Sequence, residues 1–137
     1  HGLRTWGVDR IMVAARRREP LQELRRKRGI APLAWQDAAG AKADLLINAT
    51  PLGMRGKSEG ESPLPGGALQ GFKTVYDLVY NPLQTKLLKD AAAAGCQVLS
   101  GLEMFIEQGR KQFELWTGQS FDPDRARQLL LQRLKQE

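Results

Sequence analysis

Two stretches of the sequence, a short apolar run and a longer predicted strand, each lead directly into polar residues that could bind a ligand. The first, residues 45–47, precedes Asn48-Ala49-Thr50, and the second, residues 72–78, precedes Tyr80 and Asn81. An apolar run that ends in turn formers predicts a buried strand of a parallel sheet followed by a loop. Open α/β sheets bind ligands at this carboxyl edge of their strands. A surface turn after residue 47 and a capping role for Tyr80 are the alternatives at this point.

Arg16 is the first residue beyond a third predicted strand, residues 9–15. In dinucleotide-binding folds this position faces the adenosine ribose of the cofactor. An acidic residue there accepts the ribose hydroxyls of NAD, whereas an arginine pairs with the 2′-phosphate of NADP. Asp9 stands at the opposite end of the strand and cannot take the acidic role. A solvated basic turn is the alternative interpretation of Arg16.

Gly101 and Gln108 mark the last candidate positions, on a helix predicted for residues 101–117. A glycine allows the backbone to come close to a flat ring. Gln108 is a neutral amide beside apolar positions, which indicates contact with a ligand or a partner. Each of these signals is weak alone.

The elements that must position these residues alternate between strands and helices. Further strands are predicted at 32–35 and 96–99, and helices at 1–7, 20–29, 82–94 and from 122 onwards. This alternation predicts a doubly wound parallel α/β sheet. The residues expected to face inward on the helices are Leu21, Leu24, Leu102, Phe105, Ile106, Phe113 and Trp116.

Composition limits the classes of protein that fit. The 137 residues carry a net charge of +6, one cysteine and one histidine, which excludes a disulfide framework and makes His-based metal or triad chemistry untenable. No apolar run reaches the roughly 18 residues that span a bilayer, so we expect a soluble, cytoplasmic protein of one domain without a membrane partner. No aromatic residue interleaves with the basic runs, which argues against nucleic-acid binding.

Three motifs, taken together, resemble the C-terminal half of shikimate dehydrogenases. They are Ile47–Met54, Val75–Pro82 with Thr85, and Ser100–Gln108, and the resemblance runs over nearly the whole chain. That family oxidises shikimate reversibly to 3-dehydroshikimate with NADP, on the way to chorismate and the aromatic amino acids. The resemblance therefore implies an NADP-dependent oxidoreductase with a Rossmann-like α/β fold, followed by C-terminal helices.

The resemblance also assigns site residues. Arg16 falls on the family's arginine for the 2′-phosphate, while Ala15 and Arg17 replace an asparagine and a threonine, so two hydrogen-bonding groups are lost and one charge is gained. Ser100 stands where many members have aspartate. Tyr80 and Gln108 match the residues that contact the shikimate hydroxyls and carboxylate. The implied cofactor contacts are Ala15, Arg16, Arg17, Asn48, Ala49, Thr50, Leu78 and Gly101.

Two parts of the family pattern have no match in these 137 residues. One is the first strand with its Gly-rich turn, whose backbone amides bind the pyrophosphate. The other is the catalytic lysine–aspartate pair, so no catalytic residue and no metal ligand is assigned. We therefore expect residues 1–137 to be a truncated NADP-binding domain, with a helical segment from about 97 to 137, that is inactive alone. The alternatives are a quinate/shikimate dehydrogenase and a non-catalytic module of the same fold that binds a dinucleotide or a protein.

The unmatched strand would lie at the centre of the strand order 3-2-1-4-5-6. Its absence would separate the strand around Ile11 from the strand around Leu45 by about 10 Å, two strand spacings. We expect these two strands to pair directly, or a strand of a partner to fill the gap in a homo-oligomer or by strand exchange, because either arrangement buries open sheet edges.

Overall fold

Residues 2–136 are described by a computed structural model, with side chains described through residue 134. They fall into two units, His1–Ala41 and Lys42–Glu137, each built on its own parallel sheet. The predicted first helix included His1, which lies outside the described residues. Within the described part of the chain, no helix is long and apolar enough to cross a membrane.

The first unit is a two-stranded parallel sheet covered by one helix. Strand β1 pairs with β2 in register, Met12 opposite Ala31, and helix α2 packs on both strands and ends at Gly29, whose φ of 62° is left-handed. On α2 only Leu21 is buried, and Leu24, predicted to face inward, is 40% exposed. The elements in order are α1 (Gly2–Thr5), β1 (Met12–Ala15), α2 (Arg18–Arg28), β2 (Ala31–Ala34) and a 3₁₀ helix (Trp35–Gly40).

The second unit is a three-stranded parallel sheet in the order β3-β4-β5. Ile47 of β3 lies opposite Tyr76 of β4, and Val75 of β4 lies opposite Val98 of β5. The elements are β3 (Ala43–Asn48), a 3₁₀ helix (Gly66–Gly71), β4 (Phe72–Asp77), α3 (Lys86–Ala93), β5 (Gln97–Leu99), α4 (Leu102–Thr117) and α5 (Pro123–Gln136).

The core of the second unit lies between its sheet and α3. This helix packs on β4, β5 and the second 3₁₀ helix, and it buries one face. Full burial of each leucine there stabilises the fold by about 1.5–3 kcal/mol. The residues buried between these elements are Leu69, Val75, Leu87, Leu88 and Ala91.

Three expectations about burial and boundaries are wrong. Strand β3 is not buried on both faces, since Leu45 is 40% exposed. Helix α3 begins at Lys86 with Thr85 as its cap, so Pro82 lies before the helix rather than in it. The predicted apolar stripe of α4 is only partly buried: Leu102 and Ile106 are covered, whereas Phe105, Phe113 and Trp116 are 37%, 38% and 76% exposed.

The two sheets confirm the partial doubly wound Rossmann-like architecture and correct one expectation about it. Each sheet is parallel, with the order β1-β2 in the first unit and β3-β4-β5 in the second. Direct pairing of β1 with β3 is not found, because the described strands form two separate sheets. Among the described strands, β1, β2, β3 and β5 each pair with a neighbour on one side only.

Helices α4 and α5 are joined by a forked ion pair. Arg127 donates from Nε to Glu103 Oε1 at 2.6 Å and from Nη2 to Oε2 at 2.7 Å, and it also contacts Asp124. The hydrogen bonds from Arg127 lower the pKa of the Glu103 carboxyl. Both side chains are partly exposed, so water and salt screen the interaction.

Replacing Arg127 tests this ion pair. We expect Arg127→Gln to lower the midpoint of urea unfolding slightly at neutral pH, with Arg125→Gln, an exposed arginine on the same helix, as the control. Because the folded-state pKa of Glu103 lies below its unfolded value, the stabilisation is present above the unfolded pKa and is lost as the pH falls through the folded one. The difference between the two variants should therefore vanish in acid. A difference that persists at low pH would assign the effect to packing instead.

Candidate functional site

A buried carboxylate stands at the carboxyl edge of the second unit's sheet. Asp77 is 0% exposed. Its Oδ1 accepts hydrogen bonds from Asn48 Nδ2 at 2.9 Å and from the Val79 backbone N–H at 3.1 Å, and its Oδ2 accepts one from Thr85 Oγ1 at 2.6 Å. An unpaired buried carboxylate is very costly, so these three donors are what permits its burial.

The sequence order of the elements explains why these donors meet. Asn48 and Asp77 are the last residues of two neighbouring parallel strands and lie opposite each other in register. Thr85 is the N-cap of α3, where its hydroxyl also accepts from the Leu88 backbone N–H at 3.3 Å. The Asp77 carboxylate thereby ties the ends of β3 and β4 to the start of α3.

Asn48 also shapes the loop that follows β3. Its Oδ1 accepts from the Thr50 backbone N–H at 3.0 Å and from Thr50 Oγ1 at 2.7 Å, and its Nδ2 donates to the Leu52 carbonyl at 3.2 Å. The Asn48 amide is thus engaged within the protein, whereas Ala49 is exposed and Thr50 is half-buried. The loop therefore presents residues 49–50 outward while Asn48 holds it from beneath.

Gly53 closes this loop where no side chain fits. Its φ of 92° is left-handed, and a Cβ would come within 3.1 Å of Thr85 Cβ. Its backbone N–H donates to the Ser58 carbonyl at 2.8 Å. The left-handed φ favours glycine here, and the close approach to Thr85 shows that the loop packs directly on the helix cap.

Position 101 must be a glycine for a steric reason that the sequence did not reveal. A Cβ at this position would lie 2.1 Å from the Leu78 carbonyl oxygen, and the Gly101 N–H donates to the Val79 carbonyl at 3.2 Å. The start of α4 therefore rests on the residues just after β4. Leu78 and Gly101, both expected beside the cofactor, are in contact.

The Tyr80 ring contacts a residue of α4 that sequence reasoning placed in the core. The Tyr80 ring stacks on Phe105 with centroids 4.2 Å apart and an interplanar angle of 22°. Gln108 is exposed one turn further along α4, at the i+3 position that shares a helix face with Phe105. Phe105 thus orients Tyr80. Its place in an apolar helical stripe concealed this role.

The first unit holds the remaining predicted residues. A cleft of about 250 Å³ opens at the carboxyl ends of β1 and β2, and its lining includes Ala15, Arg16, Arg18 and Trp35. Arg17 does not line it, although it is the N-cap of α2 and leaves that cap without a side-chain hydrogen bond. No acidic residue belongs to the lining, so the cleft is electropositive.

The predicted site residues thus form two groups: residues 15–17 in the first unit, and in the second unit the residues at the sheet edge together with Gln108 on α4. Sequence reasoning placed Asp77 and Thr85 in the second motif without giving either a role, and it assigned Phe105 to the core. The signal for the first two was the polar character of positions that end a strand and begin a helix. Within residues 2–136, no cluster of His, Cys, Asp or Glu could hold a metal ion.

Comparison with known proteins gives consistent matches. A family model described as the Shikimate 5'-dehydrogenase C-terminal domain matches residues 101–131. A shikimate dehydrogenase (NADP(+)) of Maridesulfovibrio salexigens is 39% identical over 133 residues, which is 97% of this chain and 49% of that protein. The chain thus spans about half the length of the curated relatives it matches.

Solved structures of related proteins are also similar to this chain. A chorismate mutase/shikimate 5-dehydrogenase fusion protein from Clostridium acetobutylicum is 31% identical with a TM-score of 0.82, over 92% of this chain and 46% of that one. A quinate dehydrogenase from Corynebacterium glutamicum, solved in complex with NAD, is 32% identical with a TM-score of 0.80, over 95% of this chain and 49% of that one.

The two parallel sheets with helices packed on them define a Rossmann-like α/β protein. Within that class, the chain belongs to the shikimate dehydrogenase family and corresponds to its C-terminal portion.

The Thr85 hydroxyl offers a direct test of the Asp77 network. Thr85→Val keeps the side-chain volume but removes the helix cap and leaves Asp77 Oδ2 without its donor, so we expect a loss of about 2–4 kcal/mol in the free energy of unfolding. Thr85→Ser retains the hydroxyl and should lose about 1 kcal/mol for the missing methyl group. Urea unfolding measures both, and equal losses would show that the hydroxyl contributes little.

Proposed function

We propose that this chain supplies the NADP-binding surface and one side of the shikimate site of a shikimate dehydrogenase. The enzyme transfers hydride reversibly between shikimate and 3-dehydroshikimate, on the cytoplasmic route to chorismate and aromatic amino acids. The observation that carries the proposal is the convergence of all three family motifs at one sheet edge. There the Asn48 loop, the residues after β4 and the start of α4 are held together by the Asp77 hydrogen bonds and the Leu78–Gly101 contact.

The choice of NADP over NAD rests on the first unit. Arg16 and Arg18 line the cleft after β1, and no carboxylate is present there to accept ribose hydroxyls. A guanidinium binds a phosphate through charge-assisted, often bidentate hydrogen bonds. Ala15 and Arg17 flank Arg16 in the segment that grips the 2′-phosphate.

The second unit supplies the nicotinamide and substrate contacts. Asn48, Ala49 and Thr50 form the loop along the nicotinamide half of NADP, and Leu78 and Gly101 flank its ring. The Tyr80 hydroxyl and the Gln108 amide are uncharged groups that hydrogen-bond the substrate hydroxyls and carboxylate. When bound, NADP provides the hydride acceptor, while these residues fix the distance and the angle of transfer.

Proton transfer needs a group that these residues do not provide. No residue of the sequence matches the family's catalytic lysine–aspartate pair, so we expect the 137-residue chain to bind without turning over. Two other functions have specific support. The likeness to a quinate dehydrogenase in complex with NAD favours a quinate-using relative, and the unmatched catalytic pair favours a binding module without activity.

Calorimetric titration distinguishes these functions. We expect NADP⁺ to bind more tightly than NAD⁺, and Arg16→Gln to weaken NADP⁺ binding by about 10- to 100-fold with little effect on NAD⁺, since charged hydrogen bonds contribute about 1.5–3 kcal/mol. Arg26→Gln removes the same charge from the far end of α2 and should leave the affinity unchanged.

Other outcomes of the titration would support the alternative functions. Preference for NAD⁺ and quinate would support the quinate-using relative, and no binding of either dinucleotide would leave a protein-binding role. Reduction of NADP⁺ by the chain with shikimate alone would show that it carries its own general acid and base.

We also propose that the open edge of β3 is covered by a strand from another copy of this chain. A parallel strand edge presents a row of unpaired N–H and C=O groups that template pairing. Leu45, 40% exposed on the edge strand β3, adds an apolar surface to that edge.

Light scattering after size-exclusion chromatography tests this pairing. We expect an oligomer that Leu45→Lys converts to a monomer, because a lysine on an edge strand opposes pairing. Leu115→Lys makes the same change at an 81% exposed position of α4 and should not alter the mass. A monomeric parent chain would refute the proposal.

A further inference from the structure

The cleft of the first unit contains one feature that the proposed 2′-phosphate contacts do not use. Trp35, the first residue of the 3₁₀ helix after β2, lines the same cleft as Ala15 and Arg16 and is half-buried. Pro32 and Leu33 extend this apolar side of the cleft. An indole beside guanidinium groups is suited to a ligand that is flat at one end and anionic at the other.

We propose that Trp35 is the stacking surface for the adenine base of NADP and that Arg18 is a second ligand of its 2′-phosphate. This inference rests on the proposed function and deepens it. It makes Trp35 and Arg18 determinants of specificity that the resemblance to the family does not assign.

The size of the cleft supports a site for the adenosine end of NADP alone. At about 250 Å³ it is smaller than the roughly 300–1,000 Å³ of pockets that enclose whole drug-sized ligands. It therefore fits part of a dinucleotide, such as a base with its phosphorylated ribose. The nicotinamide end would bind elsewhere.

The charges of the residues that line the cleft also support this assignment. Arg16 and Arg18 are exposed side chains that approach the cleft from the end of β1 and the start of α2. Two guanidinium groups match the double negative charge of a phosphate monoester, which a single arginine balances only in part. Gln22 and Gln36 also line the cleft and offer neutral amides to the edge of a base.

The first unit provides this stacking surface from its own residues. Its cleft is lined only by positions between 15 and 36, so it includes none of the loops of the second unit. The adenosine 2′-phosphate moiety should therefore bind to the intact chain even when the rest of the dinucleotide is absent. A probe that carries only this moiety, 2′-AMP, isolates the site.

Titrations of the 137-residue chain with 2′-AMP, 5′-AMP and NADP⁺ test both residues. We expect 2′-AMP to bind more tightly than 5′-AMP. Trp35→Leu should weaken 2′-AMP and NADP⁺ by about tenfold or more, since stacking of a base on an aromatic ring contributes about 1–3 kcal/mol. Trp35→Phe keeps an aromatic face and should retain most of the affinity.

Arg18→Gln should reduce the preference for 2′-AMP over 5′-AMP, whereas Arg26→Gln should not. Equal affinities of the parent, Trp35→Leu and Trp35→Phe chains for 2′-AMP would overturn the stacking role while leaving the proposed function intact. If the parent chain binds neither 2′-AMP nor NADP⁺, both fail. Circular dichroism of each variant establishes that it is folded.

Discussion

The buried carboxylate of Asp77 is the constraint on which the second unit's site depends. A carboxylate that is fully removed from water must be given donors, and the fold provides them from the ends of β3 and β4 and from the cap of α3. The three donors lie at the end of β3, just after β4 and at the N-cap of α3, all at the carboxyl edge of the sheet. The stability of the fold and the shape of the site therefore share the same hydrogen bonds.

The regular elements were predictable because their signals are local. Gly29 and Gly118 end α2 and α4 with left-handed φ values, and Thr85 and Asp122 are cap residues by type. The boundary of α3 was misplaced because Pro82 resembles a first-turn proline. The burial of α4 was overestimated because periodicity reports an apolar face but not what covers it.

The sequence predicted which of the candidate residues of the second unit lie near one another, but not the contacts that each of them makes. That Asn48, Leu78 and Gly101 would lie near one another follows from parallel strands ending at one edge. The contacts that each of these residues makes depend on distances between atoms, which the spacing of residues in the sequence does not give. The Asn48 amide hydrogen-bonds Asp77 and residues of the loop. Gly101 is a glycine because Leu78 leaves no room for a Cβ.

The loop closed by Asn48 has a consequence for the thermodynamics of recognition. Its backbone is already fixed by four side-chain hydrogen bonds between residues 48 and 52. A ligand that contacts it need not order it, so little conformational entropy is lost there on association. Selectivity at this edge then comes from a rigid surface that rejects a poor fit rather than from one that adapts to it.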